Sequence, residues 1–382
     1  MTKPNLFKFA TSELSQDAFI CWLLAWNHTD FEEAKVAKEF IAFLYNSFMD
    51  TVKREQDVGL WESGDYKYIT QDDIGAFLND KMPAQQKFKT DVFFVVYVKG
   101  EAVAFIIEDK TSTSVHDNQL IRYVKEVSED KEFNTMPIVR VYYKTGYLFN
   151  EDTKACEQAK YTIIDAEMML DFLKKHELNH SIYQDYKSFI RDRYAVPQEA
   201  AIKGLESGDV NVLKKESMKY EFMKRLAVQC EDSSPILNHG SGVGKNSSWA
   251  QYRFHATSDE YGDVSEYIFW RIESLSKGVA LTLRQYANIS KHKEHAGEKK
   301  KKLNEYRQHF EEISKEVVGL EFVVKLRKDS KGANSSQIAL LYISKKEKGD
   351  QIVNSISDIY KYLPAIHHNF KDKIQGSENK HE

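Results

Sequence analysis

Two acids and a lysine near position 100 have the types and spacing to hold a cation. Asp91 opens one apolar run, Asp91-Val-Phe-Phe-Val-Val-Tyr-Val98, and Glu108 and Lys110 close a second, Glu101-Ala-Val-Ala-Phe-Ile-Ile-Glu-Asp-Lys110, with Lys99-Gly100 between them. A two-residue turn at Lys99-Gly100 pairs Val98 with Glu101 and sets Asp91 opposite Glu108, Cβ atoms ~5 Å apart on one sheet face. Lys110 shares that face and Asp109 takes the other. Facing carboxylates this close force one to stay protonated. A divalent metal, for which carboxylates are hard oxygen ligands, lets both ionise. Acid-x-lysine is common here, as in Glu33-Ala-Lys35, Asp65-Tyr-Lys67, Asp152-Thr-Lys154 and Asp185-Tyr-Lys187. Glu108-Asp-Lys110 differs in closing a strand that is apolar on both faces, where an unpaired charge costs on the order of several kcal/mol.

The elements that must position these groups follow in the chain. Ser114 and Asp117 make a capping-box-like start, and Leu120, Ile121, Val124 and Val127 keep helical apolar spacing. Gln119 and Tyr123 then share a helix face in the early turns. On spacing alone the pair also suits a solvated face. Near the N-terminus, Thr11-Ser-Glu13-Leu-Ser-Gln-Asp17 leads into a Leu/Trp-rich helix.

Asp91, Glu108-Asp-Lys110 and Gln119-Leu-Ile-Arg-Tyr123 together resemble the PD-(D/E)xK nuclease superfamily, in its RecB-like branch with a Q-x-x-x-Y helix. The segment from Glu13 is similar to the opening helix of a bacterial subgroup. The resemblance covers about residues 1–195, and the first acid stands in Lys-Thr-Asp91 without the family's proline. It implies a restriction-endonuclease-like α/β fold, a central mixed β-sheet flanked by helices, and hydrolysis of phosphodiester bonds with Mg²⁺, for which Mn²⁺ could substitute. Asp91, Glu108, the backbone carbonyl of Asp109 and Glu13 are the implied metal ligands. Lys110 would orient or deprotonate water and stabilise the phosphate, a lysine beside cations having a lowered pKa. Gln119 and Tyr123 would position water, lysine or phosphate. Glu13 has a second reading as a first-turn acid behind a Ser12 cap, and Asp17 one as a structural polar contact.

With 382 residues, 42% hydrophobic, the chain can build two domains. The expected division is a nuclease domain over 1–195, an α+β domain over 196–374 and a disordered tail over 375–382, with the boundary at Val196-Pro197. No run approaches the ~20 apolar residues of a membrane span. The opening residues lack a signal-peptide pattern, and Cys21, Cys156 and Cys230 are few and far apart, so a cytoplasmic protein without membrane partners is expected. A net charge of -4 weighs against a nucleic-acid enzyme. The runs Lys299–Lys302, Lys325–Lys328, Lys345 to Lys348 and Lys371 with Lys373 could supply a basic surface, or merely a solvated one.

The second domain reads as strands near 249–255, 266–273, 279–286, 320–326 and 337–343, with helices over 294–317 and 352–370, mainly antiparallel with helices on one face. Gln251, Arg253 and His255, with Arg284 and Tyr286, could form a face that stacks bases. His239 to Asn246 imitates a phosphate loop but lacks its first glycine and its hydroxyl, and reads as a plain turn. His292 and His295 have no companion ligands, and His367-His368 reads as a polar helix terminus. The expected function is a DNA nuclease, in bacterial restriction or antiphage defence, the second domain serving substrate contact, partner recognition or dimerisation. An RNA nuclease and a silent nucleic-acid-binding scaffold of the same fold are the alternatives, and homo-oligomerisation is left open.

Overall fold

A computed structural model describes residues 5–8, 13–54, 68–115, 118–232, 235–241, 248–257, 266–288, 293–317, 319–324, 334–346, 350–352 and 354–378. Ser12, Asp117, His292, the Lys325–Lys328 run and most of the 239–246 loop lie outside them. The chain divides into two compact units, Met1–Glu199 and Ala200–Glu382.

In the first unit, helices α1 (Glu13–Ala25) and α2 (Glu33–Arg54) precede strands β1 (Ile74–Phe77), β2 (Ala84–Gln85), β3 (Val92–Val98) and β4 (Glu101–Lys110). Then come α3 (Gln119–Ser128), β5 (Ile138–Lys144), α4 (Asn150–Ala159), β6 (Thr162–Asp165), α5 (Ala166–Lys175) and α6 (Ser181–Ile190). The sheet order is β1-β3-β4-β5-β6, with β2 also on β3. The β3–β4 hairpin has the expected register, Val98 on Glu101 through Val92 on Ile107. Lys99 (φ 50) and Gly100 (φ 85) are both left-handed, as a turn matched to strand twist requires. The crossover through α3 lays β5 parallel to β4, pairing Lys110 with Lys144.

Alternation along the strands sorts the core. Phe94, Phe105, Ile107, Val141 and Tyr143 face a cluster with Phe19, Leu23, Phe48 and Tyr186 of α1, α2 and α6. Phe93, Ala104, Ile106 and Tyr142 face Leu120, Val127 and Cys156 of α3 and α4. Both sheet faces are covered, so any charge at the strand ends stands against apolar walls.

Three local features shape the approach to the site and the end of this unit. The polar stretch before Asp91 holds β1 and β2, too short for a periodic signal. Helix α3 starts at Gln119, after Asn118 in a left-handed turn, and buried Ser114 caps nothing. At the expected boundary, Val196 and Pro197 open α7 (Val196–Glu206) directly after a π turn over Arg191–Ala195. Proline lacks an N–H and crowds the carbonyl four residues back, and the wider π turn accommodates both.

The second unit holds α8 (Glu216–Gln229), β7 (Ile236–Ser241), β8 (Ser248–Thr257), β9 (Glu266–Leu275), β10 (Gly278–Ala287) and α9 (Ala296–Glu316). β11 (Phe322–Val323), β12 (Ser335–Lys346), β13 (Asp350–Ile352) and α10 (Ile356–Glu378) complete it. The strands form one antiparallel sheet, β11-β12-β10-β9-β8-β7, with β13 on β12. One face packs on helices: Trp270 meets Phe310 of α9, and Phe222 of α8 stacks on Tyr360 of α10.

Here several readings are corrected. His239 lies in β7, not in a turn, with its ring on Glu216 at 2.6 Å. His367 is no helix terminus: α10 runs on to Glu378, and the buried His367 ring accepts from Trp270 Nε1 at 3.3 Å. Burial pushes that imidazole down to about 4, so it stays neutral. The first four residues of the expected tail are therefore helical, and 379–382 lie outside the described residues. Part of the basic runs is consumed within the unit. Lys299 is buried and donates to the Asn334 carbonyl, Lys302 is 3.5 Å from Glu266, Lys371 pairs with Asp232 and Lys373 with Glu312. Among the described residues, no helix is long and apolar enough to cross a membrane.

Candidate metal centre

Asp91, Glu108 and Lys110 converge where β3 begins and β4 ends. Lys110 Nζ lies 2.5 Å from Glu108 Oε1, 3.1 Å from the Asp109 carbonyl and 3.7 Å from Asp91 Oδ2. Asp91 is itself clamped: Oδ2 accepts from the Asp109 N–H at 2.8 Å and Oδ1 from Gln86 Nε2 at 3.2 Å. Gln86, left-handed at φ 60, also gives its backbone N–H to the Asp91 carbonyl. No periodicity marked Gln86, since it acts from an irregular turn.

The early turns of α3 reach the same point. Gln119 Nε2 donates to Glu108 Oε1 at 2.7 Å and to the Tyr123 hydroxyl at 2.6 Å, and Tyr123 is buried. Their shared face is thus not solvated. Glu13 holds the loop beside the acid pair: it accepts from Thr111 N–H at 2.9 Å and from the Thr111 and Thr113 hydroxyls. It fixes the loop after Lys110 and stays close enough to act on Lys110 and Asp17 through its charge.

The electrostatics are those of a site short of cations. Burial, then Asp91, pushes Glu108 up to about 8 against the opposing pull of Lys110, and its Oε2 is buried without a partner. Lys110 is moved the other way from the expected lowering. Burial works against its charge, but Glu108, Asp91 and Glu13 outweigh it and hold the ammonium above its usual range. On the opposite sheet face, Asp109 is fully buried with both carboxylate oxygens unpartnered, and burial followed by Asp17 raises it well above the carboxylate range. Asp17 is also fully buried and unpartnered, pushed to about 7 by burial and then Asp91. Sequence spacing gave it only a marginal place, because nothing in an i+4 position from Glu13 shows that it points at a strand end.

A second missed feature braces the loop. Lys144, beside Lys110 on β5, is buried 3.4 Å from buried Asp152 and donates to the Thr113 carbonyl at 2.5 Å. Tyr142 donates to the same Asp152 at 2.8 Å.

These donors fit a hard divalent cation. Asp91, Glu108 and the Asp109 carbonyl are all oxygens, and an orphaned carboxylate oxygen with a raised pKa is what a cation relieves. The set is two carboxylates and a carbonyl. Among the described residues, no group of three or more His, Cys, Asp or Glu is arranged to hold a metal.

A family model described as the PD-(D/E)XK nuclease superfamily matches residues 4–195, half of the chain. No curated protein and no solved structure matches. The matched segment contains the whole six-stranded mixed sheet and every residue that meets at its end, and the chain belongs to the PD-(D/E)XK nuclease superfamily.

Proposed function

We propose that this protein is a metal-dependent deoxyribonuclease that hydrolyses phosphodiester bonds of DNA with Mg²⁺, Mn²⁺ being able to replace it. The observation that carries the reading is the convergence of Asp91, Glu108 and Lys110 at one strand end, in a chain of a nuclease family. Asp91, Glu108 and the Asp109 carbonyl would hold the ion. Once bound, it supplies acidified water and neutralises charge growing on the phosphate.

The chain's own groups do the rest. Lys110, kept protonated by its carboxylate neighbours, is suited to donate to a phosphate oxygen rather than to take a proton from water. Gln119 and Tyr123 fix the Glu108 carboxylate and close the site from the α3 side. Glu13 holds Thr111 and Thr113, so the loop leaving Lys110 keeps one course. Bacterial restriction or antiphage defence in the cytoplasm is the setting that the resemblance suggests.

The test is parallel digestion of single- and double-stranded DNA and RNA with Mg²⁺, Mn²⁺ or EDTA, using wild type, Asp91→Ala, Glu108→Ala and Lys110→Ala. Metal-dependent DNA cleavage lost in all three variants supports the proposal. Full cleavage by all three variants ends it, and cleavage confined to RNA replaces the substrate.

A further inference from the structure

Among the described residues, the helix contacts given for the second unit's sheet fall on one of its faces. Lys219 of α8 reaches Ser248 and Ser274, Phe310 of α9 meets Trp270, and His367 of α10 accepts from Trp270. All belong to one side, because directly paired residues share a face and neighbours in a strand alternate. The other side is set by the pairs Trp249 with Glu273, Gln251 with Arg271, Arg253 with Phe269, Phe269 with Arg284 and Tyr267 with Tyr286. His255, expected beside Arg253, leaves this set: a register shift after Arg253 pairs it with core residue Ile268.

Three observations define this face. Its aromatics and arginines are layered: Arg271 lies 4.3 Å over the Trp249 ring, Arg253 3.7 Å over Tyr267, and Tyr267 stacks on Tyr286 at 4.6 Å. Among the described residues its charge is positive, with Arg253, Arg271 and Arg284 against one acid, Glu273, which Arg284 already engages at 3.1 Å. Among the described residues, its orphaned atoms are all donors. Arg253 Nε, Arg271 Nε and Gln337 Nε2, the last paired with Arg284, are buried without an acceptor. Buried donors left unpaired are costly. A face whose missing partners are acceptors, and whose flat groups are stacked guanidinium and aromatic planes, is chemically complementary to phosphates joined to bases.

We propose that this face binds single-stranded nucleic acid, with Arg253 and Arg271 taking phosphate oxygens and the Trp249, Tyr267 and Tyr286 layer stacking unpaired bases. The inference rests on the nuclease reading for its biological sense, but binding needs neither the metal nor the first unit's acids. A duplex keeps its base faces stacked on one another and offers this layer only phosphates.

The experiment is fluorescence anisotropy of a labelled thymidine oligonucleotide with the full-length protein in EDTA, which stops cleavage, over a salt series. Arg253→Ala/Arg271→Ala should bind at least about tenfold more weakly. Its salt slope should be shallower by about 1.4, from about 0.7 per single-strand phosphate contact. Tyr286→Ala should lose about tenfold with the slope unchanged. As a readout that needs no variant, ultraviolet cross-linking of wild type to the oligonucleotide should mark peptides containing Trp249, Tyr267 or Tyr286. Wild-type affinity in the double variant, cross-links only elsewhere, or equal competition by duplex or by polyglutamate overturns the proposal. Unchanged binding in the double variant of an active nuclease sinks this inference alone. Lost binding in the variant of a protein that cleaves nothing sinks only the nuclease reading.

Discussion

Gln119 Nε2 donates to Glu108 Oε1 at 2.7 Å, so the first residue of α3 is tied to the end of strand β4, two residues before the lysine. The same amide donates to Tyr123 one helical turn on. Glu108 therefore shares one oxygen between Gln119 and Lys110 and keeps the other free of protein partners.

Replacing Gln119 should disturb alignment without unfolding the sheet. Gln119→Ala is expected to lower kcat on the order of tenfold to a hundredfold, the range for a group that positions a reacting constellation. Oligonucleotide affinity in EDTA should not change. Tyr123→Phe keeps the buried ring and removes one acceptor, so a smaller loss is expected. Steady-state kinetics beside thermal melting check both, and an unchanged kcat in Gln119→Ala removes the amide from the mechanism.

Metal binding should release a proton. Glu108 sits at about 8 through burial and Asp91, so below that pH an incoming cation must displace the proton it holds. Apparent Mn²⁺ affinity is expected to climb about tenfold per pH unit from 6 to 8 and then level off, one proton being exchanged per ion. Calorimetry in buffers of different ionisation enthalpy measures that proton directly. Glu108→Gln should flatten the pH dependence and weaken binding. A pH-independent affinity in wild type would mean that Glu108 does not meet the metal.

The hairpin and its chemistry were legible because each rests on short-range rules. A lysine-glycine turn fixed the register, and alternation then placed Asp91, Glu108 and Lys110 on one face and Asp109 on the other. What stayed hidden depends on contacts between distant segments. Gln86 reaches Asp91 from a strained turn, Asp17 meets a strand end 92 residues away, and Lys144 finds Asp152 only after β5 is laid beside β4. In the second unit, long strands were readable from their aromatic alternation. Their faces were not, because one bulge after Arg253 moves His255 across the sheet.

Asp17 should make stability fall as pH rises when no metal is present. Its folded value of about 7 lies above the ordinary aspartate value of 3.8, so the native state binds more protons than the unfolded one between these limits. Stability is then fully retained below about pH 4 and lost by about pH 7, with a change on the order of 4 kcal/mol for about three pKa units. Asp17→Asn keeps the shape and removes the charge. In EDTA it is expected to melt higher than wild type at pH 8, the difference vanishing near pH 4. A variant less stable than wild type at every pH would show that the carboxylate has a partner worth more than its burial costs.

Gly146 tests the loop between Lys110 and α3 from the opposite side. A Cβ there would fall on the Thr111 carbonyl oxygen, which is backbone and cannot rotate away. Thr111 is also the residue whose N–H and hydroxyl hold Glu13, and Thr145, next to Gly146, donates to the Lys110 carbonyl at 3.1 Å. Gly146→Ala must therefore push the loop off Glu13 or shift the end of β5. The expected cost is about 1–3 kcal/mol of stability, as for other overpacked sites, with a larger fractional loss of cleavage because Lys110 moves with its neighbours. Gly297→Ala is the matched control. It lies in α9 with nothing within 4 Å of its added Cβ, so alanine should be neutral or stabilise the helix by up to about 1 kcal/mol. Chemical denaturation and cleavage rates of the two variants separate a clash from the ordinary effect of losing a glycine. Equal behaviour would mean that the Thr111 loop is free to yield and that Glu13 does not hold it in place.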